Sequence, residues 1–283
     1  MAVMIPQVIT PSKASGAQVI DGSLKFDDDN SKYLKRTPGS AGNTQTWTWS
    51  GWVKYTVGTG DQGIFAGDSA SSRTQFRFKS NQLDFVVEGA THRRTSAFFR
   101  DPAWYHIVWA FDSTQSTASD RSRLYINGVE VTDFGTDNAI TQNATTGVNS
   151  TNAQVIGATS TTPDDKFDGS MTNVYLIDGQ QLDASYFGFT DPLTNTWKPK
   201  KYTGTFGTNG FYLPMDGNSP IGQDQSGNGN DWTPQGFGGS VALDNPQVSG
   251  ARPILNTTQG GTQASVGVFG SRQNVGYAVT VYN

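Results

Sequence analysis

The chain has 283 residues, enough to bury a sizeable core, and 33 Gly, 33 Thr, 25 Ser and 18 Asn dominate it while charged residues reach only 16%. Two Glu (Glu88 and Glu130) and ten Lys stand beside 22 Asp, so the supply that long amphipathic helices draw on is missing and a helical bundle or coiled coil is excluded. A formal net charge of −4 without a run of Lys or Arg gives no footprint for nucleic acid or an anionic membrane, and no apolar stretch approaches the roughly eighteen residues of a membrane-inserted span.

With 12% aromatic residues the chain has the means to fold despite its polar bulk. The absence of Cys removes disulfides, thiolate metal sites and cysteine nucleophiles together. Residues 1–10 lack the basic and apolar regions of a signal peptide, which leads to the expectation of a product made in the host cytoplasm.

Residues 1–20, with Pro6, Pro11 and a Ser/Ala/Gly stretch, have no period and read as an N-terminal arm. From Gly22 onward, short aromatic and β-branched runs alternate with Gly, Asn, Asp and Ser clusters, the spacing of an all-β sandwich or barrel. Trp47, Trp49, Val53 and Tyr55 alternate with polar neighbours, the period of a half-buried strand, and Trp52 breaks the polar face. Phe76 and Phe78 lead through Ser80, Asn81 and Gln82 into Leu83, Phe85 and Val87 as a hairpin.

Residues 104–111 (WYHIVWAF) are apolar on both parities, which predicts a strand covered on both sides and puts Trp104 and Trp109 in the core. Asn127 and Gly128 tolerate positive φ and predict a type I′ turn between strands at 123–126 and 129–131. Further strands are expected at 171–177 and 211–215, with one helical turn over 182–187 capped near Asp183. Residues 233–265 carry no reliable period, and Val275, Tyr277, Val279 and Val281 then alternate as a terminal strand. The expected organisation is therefore an arm (1–20), a sandwich (21–235), a linker (236–265) and a C-terminal strand or the start of a further module (266–283).

Six segments, in order, carry a family likeness: GSLKF at 22–26, WTWSGWVK at 47–54, DPAWYHIV at 101–108, RLYINGV at 123–129, FDGSMTNV at 167–174, and 211–232. They resemble the laminin-G-like, concanavalin A-like lectin/glucanase jelly roll found in virion structural proteins of marine phages, including cyanophages. The stretch DQSGNGNDW at 224–232 looks like the one that closes this domain in phage tail-fibre and appendage proteins. The resemblance implies a two-sheet antiparallel sandwich, of the fourteen-strand type, with ligand loops at one rim. It implies no single function, because the same sandwich serves lectins, hydrolases and spacers.

Hydrolases of this type resemble one another in two Glu and an Asp alternating on one strand, since retaining glycoside cleavage needs closely paired carboxylates. Here the two Glu lie 42 positions apart, and the nearest substitutes, Asp27, Asp28 and Asp29, point in alternate directions if extended. The chain therefore reads as non-enzymatic. Calcium is the one cofactor for which ligands are offered, by Asp168, Asp224 and Asn228, although Asp-Gly and Asn-Gly are also ordinary turn residues. Trp52, Trp197 and Trp232 are the candidate platforms for a sugar ring, against the alternative that a sandwich Trp is core.

His106 reads as a buried, hydrogen-bonded histidine, His92 and Arg93, Arg94 and Arg100 as solvated loop residues, and the sequons at Asn143, Asn149 and Asn256 as accidental. The expectation is a phage virion structural protein, a tail-fibre, appendage or capsid-surface component, with a lectin-like domain for host-glycan recognition or particle assembly. Its partners would be other virion proteins and host polysaccharide, with neither nucleic acid nor membrane insertion, in a homo-oligomer for which a trimer is the form usual in fibres. The alternatives are a free calcium-dependent carbohydrate-binding or adhesion module, and a polysaccharide depolymerase using Asp27, Asp28, Asp29 or Asp168.

Overall fold

The computed structural model describes residues 16–28, 31–56, 60–67, 73–87, 89–160, 165–237 and 241–242. Most of the expected arm, most of the linker, the strand at 275–281, and Asp29, Glu88 and Asn256 lie outside them.

The chain opens with β1 (Ser23–Phe26), β2 (Tyr33–Arg36), β3 (Thr46–Tyr55), β4 (Gln62–Gly67), β5 (Thr74–Lys79) and β6 (Gln82–Val87). Next come β7 (Ala90–Thr95), β8 (Trp104–Asp112), β9 (Ser122–Ile126), β10 (Val129–Glu130), β11 (Phe134–Asp137) and β12 (Gln154–Ile156). The described strands end with β13 (Gly169–Asp178), β14 (Gly188–Asp191), β15 (Thr196–Pro199), β16 (Phe211–Leu213), β17 (Thr233–Gln235) and β18 (Val241–Ala242). One eight-stranded sheet runs β10-β9-β8-β3-β13-β1-β18, with β16 also on β13; the other runs β11-β7-β6-β5-β4-β12-β2-β17. Each strand pair is antiparallel, and the described helix is limited to two short 3-10 turns, so the expected jelly-roll sandwich is the fold observed. β17 and β18 fall in the stretch read as irregular, because two- and three-residue strands leave no period to detect.

Inward side chains of both sheets form one aromatic core. Tyr55 stacks on Phe78 at 4.0 Å, Trp109 on Phe85 at 4.3 Å, Trp47 on Phe111 at 5.1 Å, and Trp49 meets Phe76 edge-on at 4.7 Å. Such pairs contribute on the order of 1 kcal/mol each beyond the area they bury. The indole N–H groups of Trp47 and Trp109 donate to Thr146 Oγ1 and Ser122 Oγ, which offsets their removal from water.

β3 departs from expectation. Its inward residues are buried as predicted, yet the outward Thr48, Ser50 and Trp52 are buried too. The cause is a lid: residues 182–206, including the β14–β15 hairpin, fold back over the outer face of the first sheet. Leu182, Phe187, Tyr202 and half-buried Trp197 pack on Val108, Tyr125, Tyr175 and Tyr212. The apolar character of both faces of β8 has the same origin. Trp104, at the start of β8 where the lid ends, is only half-buried and faces outward.

The β9–β10 turn has Asn127 at φ 50° and Gly128 at φ 83°, as a type I′ turn demands. Gly128 is required twice, because a Cβ there would lie 2.3 Å from the Trp197 ring. Asp183 accepts from Ser185 N and caps the single turn at Ala184–Tyr186, as expected.

Candidate functional site

At one end of the sandwich the loops 37–45, 207–210 and 224–231 converge, and two buried carboxylates and a half-buried arginine hold them. Asp178, at the end of β13, accepts from Asn43 N at 2.7 Å, Asn149 Nδ2 at 3.0 Å and Asn209 N at 2.9 Å. Asp224, 8% exposed, accepts from four donors at 2.8–2.9 Å: Tyr212 N, Ser226 N, Ser226 Oγ and Asn230 N. Arg36 lies between these carboxylates and donates to Asn209 Oδ1 and Asn230 Oδ1. Burial pulls its guanidinium below its ordinary pKa, and the charges of Asp224 and Asp178 act in the opposite direction.

The closing loop is pinned from its other side. Asn228 Nδ2 donates to Gly207 O (2.7 Å) and Gly210 O (3.0 Å), while Asn230 Nδ2 donates to Thr208 O and Gly210 O. Gly207 is held at φ 75°, and a Cβ on it would lie 2.2 Å from the backbone oxygen of Asp178. The rim is thus rigid backbone fixed by amides, and beside it runs a groove with half-buried Phe206 and exposed Thr203, Thr205, Thr208 and Gln225.

The residues expected to bind sugar or metal fare differently. Trp52 (5% exposed) packs against His106 at 5.1 Å, and Trp232 (3% exposed) packs on Phe211 at 5.0 Å and Phe65 at 6.3 Å. Neither offers a ring face to a ligand; both belong to packed interiors, as large aromatics in a sandwich usually do. Trp197 is half-buried, but its indole stacks on His106 and closes against Gly128 and Gly188, so it serves the lid.

Asp224 and Asn228 do come together in the closing loop, whereas Asp168 lies apart, paired with Lys25 and preceding β13. The donor set does not fit calcium. All four acceptor positions of Asp224 face N–H or O–H groups, the Asn228 amide is held by Nδ2 donating to Gly207 O and Gly210 O, and a lysine ammonium already pairs with Asp168. Among the described residues no group of three His, Cys, Asp or Glu side chains could hold a metal ion. Asp27, a candidate for the hydrolytic alternative, is engaged with Lys32 at 3.6 Å.

His106 is buried, as read from the sequence, with burial lowering its pKa to about 3. Arg93 is buried rather than solvated: it stacks over Phe134 and bonds Asp137 and Ser122 O. Asn149 is fully buried at φ 62° and is therefore a structural residue of the rim. The sequence pattern does not point to Asp178, Arg36 or Phe206, the first because an Asp-Gly pair looks like an ordinary turn.

The profile described as the concanavalin A-like lectin/glucanases superfamily (Laminin_G_3) matches residues 28–184, more than half of the chain. The chain belongs to this family. Its laminin-G-type sandwich is similar to a candidate carbohydrate binding protein from Bacteroides ovatus ATCC 8483, with 15% identity and a TM-score of 0.49 over 77% of this chain and 58% of that one. It is similar also to the heptameric SAP-like pentraxin of Limulus polyphemus, with 14% identity and a TM-score of 0.43 over 58% of this chain and 79% of that one. Domains LG4-5 of the mouse laminin alpha1 chain align with 10% identity and a TM-score of 0.41 over 72% of this chain and 50% of that one. No curated protein sequence matches the chain.

Proposed function

We propose that this laminin-G-type domain is a non-enzymatic glycan-recognition module of a phage virion component, and that it binds host-surface polysaccharide in the groove beside the 224–231 loop. The observation that carries the reading is the groove itself: a half-buried aromatic, Phe206, among exposed hydroxyl and amide side chains on backbone that Asp224, Asn228 and Asn230 hold rigid. Sugar recognition calls for that combination of an apolar face and fixed polar partners. A preformed wall also avoids the entropy cost of ordering loops on binding.

Binding is favoured over hydrolysis because the carboxylate nearest the groove, Asp224, is consumed as an acceptor by four donors and has no free position for proton transfer. The phage assignment draws its support from the likeness of residues 224–232 to the stretch that closes such domains in tail-fibre and appendage proteins. On this reading the chain works in the virion, as a homo-oligomer docked to other virion proteins.

The test is binding of labelled full-length chain to intact candidate host cells, with competition against infection. Saturable binding that blocks infection and is abolished by Gln225→Arg or Thr203→Arg supports the proposal. A folded chain that binds neither cells nor a panel of host polysaccharides overturns it in favour of a purely architectural component.

A further inference from the structure

The groove beside the 224–231 loop is short of acceptors. Among the described residues no Asp or Glu lines it, and the Asp224 carboxylate that precedes Gln225 is filled by four donors. Backbone carbonyls of the lining residues are engaged inside the protein. Thr205 O accepts from the Tyr202 hydroxyl at 2.9 Å and from Gln180 Nε2 at 3.0 Å, Gly207 O from Asn228 Nδ2 at 2.7 Å, and Thr208 O from Asn230 Nδ2 at 3.0 Å.

The same groove holds one ammonium group, on Lys201. It is exposed and has no hydrogen bond or ion pair to a described residue, whereas Lys198 is paired with Asp191 at 3.4 Å and Lys200 donates to Ser185 O at 2.9 Å. Lys201 Nζ stands 5.7 Å from the centre of the Tyr212 ring. A cation–π contact orients an ammonium without neutralising it, as a carboxylate partner would. Both sides of the contact are anchored: Tyr202, the next residue, is buried against Phe187 at 5.4 Å, and the Tyr212 hydroxyl donates to Asn173 Oδ1 at 2.8 Å. Asp216 acts on Tyr212 through its charge, but it accepts from Asn218 N and Nδ2 and does not line the groove. The groove thus presents an unneutralised positive charge in a chain of net charge −4.

This balance of donors and acceptors sorts saccharides by chemistry. Every hydroxyl of a neutral sugar brings a donor as well as an acceptor, and its donors find few free partners here. A carboxylate or a sulfate ester only accepts, and it matches the ammonium and the exposed Thr203 and Thr208 hydroxyls. Phe206, backed by Tyr175 at 6.4 Å and Tyr202 at 5.2 Å, supplies an apolar surface for the ring that carries the charge.

We propose that the groove selects acidic saccharides and that Lys201 is the residue that reads their charge. The inference rests on the groove being the glycan site and adds the class of glycan, a sugar ring bearing a carboxylate or a sulfate ester. The oxyanion accepts from Lys201 Nζ while the ring lies on Phe206.

The experiment uses the full-length chain and polysaccharide extracted from candidate host cells in three forms: untreated, carboxyl-reduced and desulfated. The expected result is saturable binding of the untreated form, binding about tenfold weaker after one or both treatments, and a preference that fades as sodium chloride is raised. The treatment that weakens binding names the oxyanion. Lys201→Met should bring the untreated form down to the affinity of the treated one with the chain still folded, since the ammonium it removes has no bond to lose, and Lys201→Arg should keep the preference. Phe206→Ala should weaken all three forms. If the three forms bind equally, or if Lys201→Met leaves the preference intact, the inference is overturned while the groove stands as a glycan site. If the untreated form does not bind, or if Phe206→Ala leaves its binding unchanged, the groove reading falls and the inference falls with it.

Discussion

The indole N–H of Trp197 donates to Nδ1 of His106 at 2.9 Å, and this contact fixes the protonation of a buried imidazole. Because Trp can only donate, Nδ1 must be the bare nitrogen, and the neutral ring carries its proton on Nε2, directed at Ser50 Oγ 2.9 Å away. Trp52 covers one side of the ring at 5.1 Å and Trp197 another at 5.9 Å. The lid and the sheet are therefore joined through a neutral histidine.

Acid should loosen that joint. Burial lowers the His106 pKa from 6.5 to about 3, so as pH falls the unfolded chain takes up the proton first. Its contribution is complete above pH 6.5 and declines as the pH falls toward 3, by about 1.4 kcal/mol per unit and on the order of 5 kcal/mol in all. The Asp112 carboxyl, which burial raises but bonds from Thr114, Gln115 and Thr46 hold below its ordinary value, adds acid lability only near and below pH 3.8. Urea unfolding between pH 7 and 4.5 should thus show a slope in the native chain that His106→Gln flattens; equal slopes would refute the neutral-imidazole assignment.

The Asp224 knot predicts a structural rather than a metal-dependent phenotype. Asp224→Asn puts an amide N–H₂ against groups that already donate, and should cost about 3 kcal/mol of stability. Excess chelator, in contrast, should leave the melting temperature of the native chain unchanged, because the carboxylate has no acceptor position left. A chelator-induced fall in melting temperature, restored by calcium, would refute this reading of the rim.

Legibility follows sequence distance. The β9–β10 turn and the Asp183 cap are written in contiguous residues and reading them locally is enough, whereas the apolar run of β8 places Trp104 in the core and the structure leaves it half-buried where the lid ends. Trp52 is ambiguous in the sequence because it packs against His106, whose other partner is Trp197, 145 positions later than Trp52 in the chain, and nothing near position 52 announces them. Asp178 is invisible for the same reason: Asn43, one of its partners, lies 135 residues away. The closing motif is conspicuous, but its Asp and Asn residues look like ligands until the fold pairs them with backbone groups of 207–212.

Gly207 tests whether the rim depends on its glycine. At φ 75° an alanine is strained by on the order of 1 kcal/mol, and its Cβ would sit 2.2 Å from the Asp178 carbonyl oxygen, so the backbone must move. Gly207→Ala should therefore lower stability by more than the strain alone and raise amide exchange across 207–210 and 224–231. Gly204 is also exposed on this loop; a Cβ there would meet only the tip of the Tyr202 side chain, without a positive φ, and Gly204→Ala should be the milder of the two. Hydrogen-exchange mass spectrometry distinguishes these outcomes, and equal effects at both positions would count against the Asp178 clasp.

Trp232 separates a sugar platform from a core residue. Its ring lies between Phe211 and Phe65, its backbone N–H is bonded to Gly222 O at 2.8 Å, and only 3% of the residue is exposed. Trp232→Ala should cost about 3–5 kcal/mol through the cavity it opens between the sheets, seen as a large drop in the denaturation midpoint. Trp232→Phe keeps most of the contact and should cost far less, while glycan affinity per folded molecule stays at the native value. If Trp232→Phe instead retained full stability and lost glycan binding, the indole would be contacting the ligand and the site would have to be moved from the Phe206 groove to the far side of the closing loop.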